Sequence, residues 1–341
     1  MLSFNESVDT RIPSSPPPIA PLSEDSVRPL WSVMIPAYNC SAYLKEAIVS
    51  VLAQDMGTAV MQIEVVDDAS TDIEVAALVA SLGAGRVQYF RQPVNVGSVR
   101  NFETCINRAR GHFVHLLHGD DRVLPGFYEK ITELFTLSPE AGAVFTHYAS
   151  INEAGEQLDV PPLEAATAGI LTDWLPRIAL YQRTQYAAMV VRREAYEKLG
   201  SFYGTNYGED WEMWVRIARY YPVGYVPEVL AEYRRQPDSI TSEKARTGLL
   251  IPDLMQVILR IQQHLPPAER KSIFAQTRKH HAYSNITEAY RLLQQYKDWS
   301  LARWQMRQSL RLSQHPSVYY ELSKFYLKFY LNKLGINLSK F

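Results

Sequence analysis

Short apolar runs alternate with stretches whose apolar residues recur at helical spacing, and the alternation begins near residue 30. "WSVMI" at 31–35 predicts a strand, and "SAYLKEAIVSVLAQ" at 41–54 predicts a helix with Ser41 as its N-cap. "IEVVDD" at 63–68, "VQYF" at 87–90 and "FVHLL" at 113–117 predict three more strands, with helices over 72–82 and 99–110 between them. Strands this uniformly apolar, each followed by a helix, predict a parallel sheet covered on both faces. After residue 140 the alternation loosens. "AVFTHY" at 143–148 and "AAMVV" at 187–191 read as strands, 209–221 as an amphipathic helix and 223–234 as extended chain. From about 245 onward the pattern is helical, over 253–265, 268–294, 298–313 and 317–334, with 280–315 reading as one helical hairpin. Residues 1–29, rich in Pro and Ser, read as a disordered or extended leader, and a domain boundary is expected near 240.

The 341 residues are 47% hydrophobic and 21% charged, which is an ordinary globular balance and excludes a disordered or fibrous chain. A net charge of −1 argues against a nucleic-acid-binding surface spread over the molecule. Two cysteines, Cys40 and Cys105, are too few for a disulfide framework and suit a reducing compartment. No basic-then-apolar segment opens the chain and no run of about 18 apolar residues occurs, so the expected location is the cytoplasm.

Chemistry collects where the strands end. In open α/β sheets ligands bind beyond the carboxyl ends of the strands. There the chain carries "IPAYN" (35–39), "VVDDASTD" (65–72), "NVGSVRNF" (95–102) and "HGDD" (118–121). Asp120 and Asp121 stand side by side after an apolar strand, where their repulsion is poorly screened. Helix capping needs one carboxylate, whereas a divalent cation, Mg2+ or Mn2+, shared with substrate phosphates accounts for two. Asp67 or Asp68 could accept a nucleobase N–H or hold a ribose hydroxyl, Asp72 reads as a helix N-cap, and Tyr38 offers a face for a base.

In order and spacing, "VMIPAYN", "EVVDDASTD", "NVGSVRNFETCINRARG", "LLHGDD" and "GEDWEMWVRIA" resemble the family 2 inverting glycosyltransferases of GT-A fold. That fold is an α/β, Rossmann-like, mostly parallel sheet flanked by helices. The "NxGxxxNF" form is similar to the subgroup of rhamnosyl- and other bacterial polysaccharide glycosyltransferases. The resemblance spans 30–240, with 241–341 as a helical C-terminal extension. It implies a nucleoside-diphosphate sugar donor (UDP, dTDP or GDP type) and a glycan, lipid-linked or protein acceptor. It also implies that Pro36, Ala37 and Tyr38 line the nucleoside pocket, that Asp67 contacts the base with Asp68 close by, and that Gly97 lets the backbone approach the nucleotide. Asp120 and Asp121 would face ribose, diphosphate and metal, with Asp121 the direct ligand, and Asp210 would be the general base with Glu209 beside it. Trp211 would stack on an acceptor sugar.

Two positions depart from the resemblance: His118 stands where many relatives have Asp, and Gln236 where many have His. Arg234 or Arg235 could assist the leaving diphosphate. One carboxylate base opposite the leaving group means inversion at the anomeric carbon. A sugar nucleotidyltransferase would need a Gly-rich loop after the first strand, and "IPAYN" has none. A catalytically impaired nucleotide-sugar-binding or scaffold protein is the alternative, with His118 and Gln236 as its marks. Finally, "SVYYELSKFYLKFYLNKLG" (317–335) has the character of a basic amphipathic helix. Its expected apolar face is Val318, Leu322, Phe325, Tyr326, Phe329 and Tyr330. It would either pack on the preceding helices or make peripheral contact with the inner face of the membrane.

Overall fold

The structure is a computed structural model that describes residues 10–23, 27–236, 244, 247 and 250–334. The first four strands, β1 (Trp31–Ala37), β2 (Met61–Asp67), β3 (Gln88–Arg91) and β4 (Phe113–Leu116), are all parallel in the spatial order β3-β2-β1-β4. Between them run α1 (Ser41–Leu52), α2 (Val75–Gly83) and α3 (Ser98–Arg108). The side chains of β1 alternate, Trp31, Val33 and Ile35 facing one core and Met34 the other, as a strand buried on both faces requires. Ala37 lies opposite Asp67, and Asp67 opposite Arg91, so three strands end level.

The chain continues through β5 (Arg122–Val123), α4 (Phe127–Leu137), β6 (Ala143–Ile151), β7 (Gln157–Asp159), β8 (Gly169–Ile170) and α5 (Trp174–Leu180). A 3₁₀ turn at Tyr186–Ala188 leads into β9 (Met189–Arg192), α6 (Arg193–Leu199), α7 (Glu209–Tyr220) and β10 (Val223–Arg234). β9 runs antiparallel between β4 and β6, and β10 is parallel to β6. The sheet is therefore parallel through its first half and mixed through its second. α1, α2 and α4 cover one face, and α3, α5, α6 and α7 the other.

α8 (Leu250–His264), α9 (Pro267–Tyr296), α10 (Trp299–Leu312) and α11 (Pro316–Lys333) complete the chain. They share a continuous core with α3, α5 and α7. α8 is tied to α7 by His264 Nε2 and Glu212 Oε1 at 2.6 Å, and α9 to α5 by Thr277 Oγ1 donating to Ala179 O at 3.1 Å. α9 and α10 form the expected hairpin, locked by a buried pair in which Gln305 Nε2 donates to Asn285 Oδ1 at 2.6 Å. The boundary expected near 240 lies outside the described residues.

The described part of the leader is extended and docked. Ile19 is buried in the core, Ser201 N donates to Pro17 O (2.8 Å), Gly204 N to Pro13 O (2.7 Å) and Arg193 Nη2 to Ala20 O (3.0 Å). The expected caps also change. Ser41 is the first helical residue of α1, not its N-cap, and its N–H is taken by Asp72 Oδ2 at 3.1 Å. Asp72 thus caps α1 from across the rim, while α2 begins at Val75.

Candidate active site

Backbone hydrogen bonds fasten the strand-end turns to one another. Asp68 N donates to Ala37 O (2.8 Å), Gly119 N to Pro36 O (3.1 Å) and Thr71 N to Asn39 Oδ1 (2.8 Å). Asn39, at φ +46°, turns the chain out of β1. Gly119 is required by space, because a Cβ there would sit 2.6 Å from Cys40 Sγ. Burial, with Asp120 adding, pushes the Cys40 thiol up to about 12, so it stays neutral.

The expected nucleoside pocket is only partly presented to solvent. Pro36 and Ala37 are buried as backbone ties, and Tyr38 is exposed with its ring free to carry a base. Asp67 is turned inward, contrary to the expectation that it meets the base. Its Oδ1 accepts from Ser70 N (2.9 Å), and its Oδ2 from Tyr89 OH (2.7 Å) and Arg91 Nη1 (2.5 Å). Arg91, not Asp67, is the group this strand end shows to solvent. Asp68 holds the next loop closed, accepting from Val96 N (2.7 Å), Gly97 N (2.9 Å) and Asn95 Nδ2 (3.0 Å). Burial nonetheless raises its pKa. Gly97 has the positive φ, +86°, that only glycine adopts easily, but the close approach it permits is made by Arg11 of the leader, 3.2 Å from where a Cβ would stand.

His118, Asp120 and Asp121 form the acidic corner, with one donor atom from each lying within 4.8 Å of the others. Asp121 is buried, and burial together with Asp120 drives its pKa well up, although Arg234 N donates to its Oδ1 at 2.8 Å. Burial holds the His118 ring neutral, which is the form that binds metals. Its Nε2 is buried without a hydrogen-bond partner among the described residues. An imidazole with an orphaned nitrogen and two crowded carboxylates fits a divalent cation. Gln236 reaches the same corner, its Nε2 donating to Asp120 Oδ2 at 2.5 Å. Arg234 does not face the corner as a diphosphate donor. Its fully buried guanidinium is spent on Asp120 O, Asn152 O, Glu153 O and Glu46 Oε2, and Arg235 pairs with Asp159.

A second pair of acids opens α7. Glu209 and Asp210 are buried; burial raises Asp210 to about 7, and burial with Asp210 beside it raises Glu209 to about 8. Gln182 Nε2 donates to Asp210 Oδ2, and Tyr186 OH to Glu209 Oε1 at 3.3 Å. The Tyr186 ring also packs on His118, with centroids 4.4 Å apart. One side chain thus spans from the acidic corner to the α7 acids. Tyr233 feels Asp121, Asp120 and Asp210 together, which, added to burial, raises its own pKa. Trp211 is buried with its Nε1 donating to Ile178 O at 2.6 Å, so it is a core residue and not an acceptor platform. Trp214 packs on Tyr186 and Phe202 in the core.

Gln182, Tyr186 and Arg91 carry no motif and escape the sequence reading. Only Arg91 had a signal: counting three residues from Gln88 along a strand level with β2 sets it beside Asp67. A cleft of about 460 Å³ lined by Trp174, Pro176, Arg219 and Tyr221 holds none of these acids.

Residues 32–200 match the sequence model of the family described as glycosyl transferase family 2. An uncharacterised protein of Mycobacterium tuberculosis is 35% identical over 124 residues, which is 36% of this chain and 38% of that protein. An uncharacterised glycosyltransferase of Haemophilus influenzae is 23% identical over 63% of this chain and 68% of its own length. The chain therefore spans well under half of the first of these relatives. Among solved structures, S. aureus TarS 1-349 in complex with UDP-GlcNAc superposes with a TM-score of 0.63 at 16% identity, over 86% of this chain and 87% of that one. The mannosyltransferase PcManGT from Pyrobaculum calidifontis, in complex with GDP-Man and Mn2+, gives 0.56 at 17% identity, over 93% and 84%.

Proposed function

We infer from a chain that belongs, through residues 32–200, to glycosyl transferase family 2 and carries the GT-A fold that it moves a sugar from a nucleoside-diphosphate donor to an acceptor hydroxyl with inversion. The observation that carries this reading is that the carboxylate pairs Asp120–Asp121 and Glu209–Asp210 lie close at the carboxyl edge of the sheet, with Tyr186 reaching from the His118 ring to Glu209 and Tyr233 near Asp120, Asp121 and Asp210. The complexes of TarS with UDP-GlcNAc and of PcManGT with GDP-Man and Mn2+ support a nucleotide-sugar donor and a divalent cation.

In this reading the base rests on Tyr38 with Arg91 at its edge. His118, Asp120 and Asp121 would hold the cation, Mg2+ or Mn2+, and Asp120 would also face the ribose and diphosphate. When bound, it supplies positive charge that offsets the charge developing on the leaving diphosphate. Asp210 removes the proton of the acceptor hydroxyl. That oxygen bonds to the anomeric carbon as the carbon–phosphate-oxygen bond opposite breaks, and the electron pair leaves with the nucleoside diphosphate. Glu209, held by Tyr186 and raised further than Asp210, leaves Asp210 the carboxyl of the pair that ionises first. A glycan or lipid-linked acceptor in surface polysaccharide synthesis is the class this machinery suits.

The test is release of nucleoside diphosphate from a panel of UDP-, dTDP- and GDP-sugars with Mg2+ or Mn2+, alongside donor binding. Asp210→Asn should keep donor binding and lose turnover, whereas Asp121→Ala should lose metal-dependent donor binding. Binding without turnover in the native chain, with acceptors supplied, would support the impaired, donor-binding alternative.

A further inference from the structure

The C-terminal helix resolves which of its faces is spoken for. Val318, Leu322, Phe325 and Phe329 of the expected apolar face are buried against α9 and α10, the packing alternative. At 3.6 residues per turn, Tyr319, Tyr320, Ser323, Leu327, Tyr330 and Leu334 gather on the opposite side. Of these, Leu327 and Tyr330 are each 60% exposed and Leu334 is 74% exposed. A surface helix ordinarily turns polar residues outward. This one carries a second apolar stripe.

The same wheel sets Lys324 and Lys328 along one border of the stripe and Lys333 along the other. Lys333 and Arg303 of α10 both sit over the Phe329 ring, at 5.3 and 4.7 Å. α10 adds exposed Trp304, Arg307 and Arg311. From 299 to 334 the chain has six Lys and Arg against one acid, Glu321, a net charge of +5 in a molecule whose total is −1.

We infer that this outward face of α11 docks on an anionic lipid surface. Tyr and Leu enter the boundary between headgroups and acyl chains, while Lys324, paired with Glu321 at 2.8 Å without lipid, and Lys328 and Lys333, over the Tyr290 and Phe329 rings, swing along their own stems to the phosphates. Charge selects this occupant over a second copy of the chain. Two such faces brought together would repel, whereas an anionic leaflet neutralises both the lysines and the arginines of α10. The surface lies apart from the catalytic rim, so the inference stands or falls independently of the proposed reaction.

The full chain should be floated with vesicles of pure phosphatidylcholine and with vesicles in which a third of the lipid is phosphatidylglycerol. Binding is expected to the anionic vesicles only, to weaken as salt is raised, and to fall by about tenfold or more in Leu327→Glu and in Tyr330→Glu. Both positions are exposed, and unchanged thermal melting of the variants would show that they fold. Absence of binding to anionic vesicles would overturn the inference, as would binding that both substitutions leave intact. Sedimentation velocity without lipid supplies a second reading: a dimer that Leu327→Glu dissolves would assign the stripe to self-association and overturn the lipid assignment.

Discussion

At the scale of single residues, Asp210 is the group whose environment says most about its task. A carboxyl raised to about 7 by burial is a base only once it has lost its proton, so turnover should climb as pH rises through about 7. Gln182 donates to the ionised form and thereby lowers that pKa, so Gln182→Ala should move the rising limb to higher pH. A pH–rate profile of both proteins checks this, and superimposable limbs would contradict it. The same burial has a cost in stability. Acids whose folded pKa is raised stabilise the protein while protonated, and that contribution is lost as pH rises through their folded values, about 7 for Asp210 and about 8 for Glu209. Melting temperature without metal should therefore fall as pH rises from the ordinary carboxyl values, 3.8 and 4.5, up to these raised ones, level off above them, and fall less in Glu209→Gln. Residue types at the rim were legible, because paired acids after apolar strands have few other uses. Their orientation was not. Asp67 and Trp211 look equally available in the sequence, but one is locked under Arg91 and the other is bonded to Ile178 O. Side-chain direction at a strand end depends on neighbours distant in sequence.

At the scale of elements, the first four strands and their helices follow the hydrophobic pattern closely, because β1, β2 and β4 are buried on both faces and each helix on one, while β3, at the sheet edge, is partly exposed. Strand direction left no such trace: "AAMVV" reads the same whether β9 runs with its neighbours or, as it does, against β4 and β6. Two-residue strands such as β5 and β8 are too short to show a period. Pro and Ser left the leader open between disordered and extended chain; its described part is extended, fixed by backbone hydrogen bonds and one apolar anchor, Ile19. Ile19→Ala should therefore destabilise the protein by about 2–5 kcal/mol, as burial of a full-length aliphatic side chain requires. Chemical denaturation would measure it, and a change near zero would mean that the leader contributes no packing.

At the scale of the whole molecule, the helical C-terminal region packs against α5 and α7 and shares their core. α8 braces α7 through Glu212, and α9 brings His280 onto Tyr181 (4.2 Å) and His281 near Trp211 (5.3 Å), directly behind the loop that holds Gln182. The account as a whole rests on a cation held at His118, Asp120 and Asp121 beneath a nucleoside diphosphate. The most direct test is equilibrium binding of UDP, dTDP and GDP to the native chain and to Asp121→Ala, each with and without Mn2+. The account predicts that one nucleotide binds at least about tenfold tighter with Mn2+ and that Asp121→Ala abolishes the difference. Equal affinity with and without the metal for every nucleotide, or an unimpaired Asp121→Ala, would contradict it.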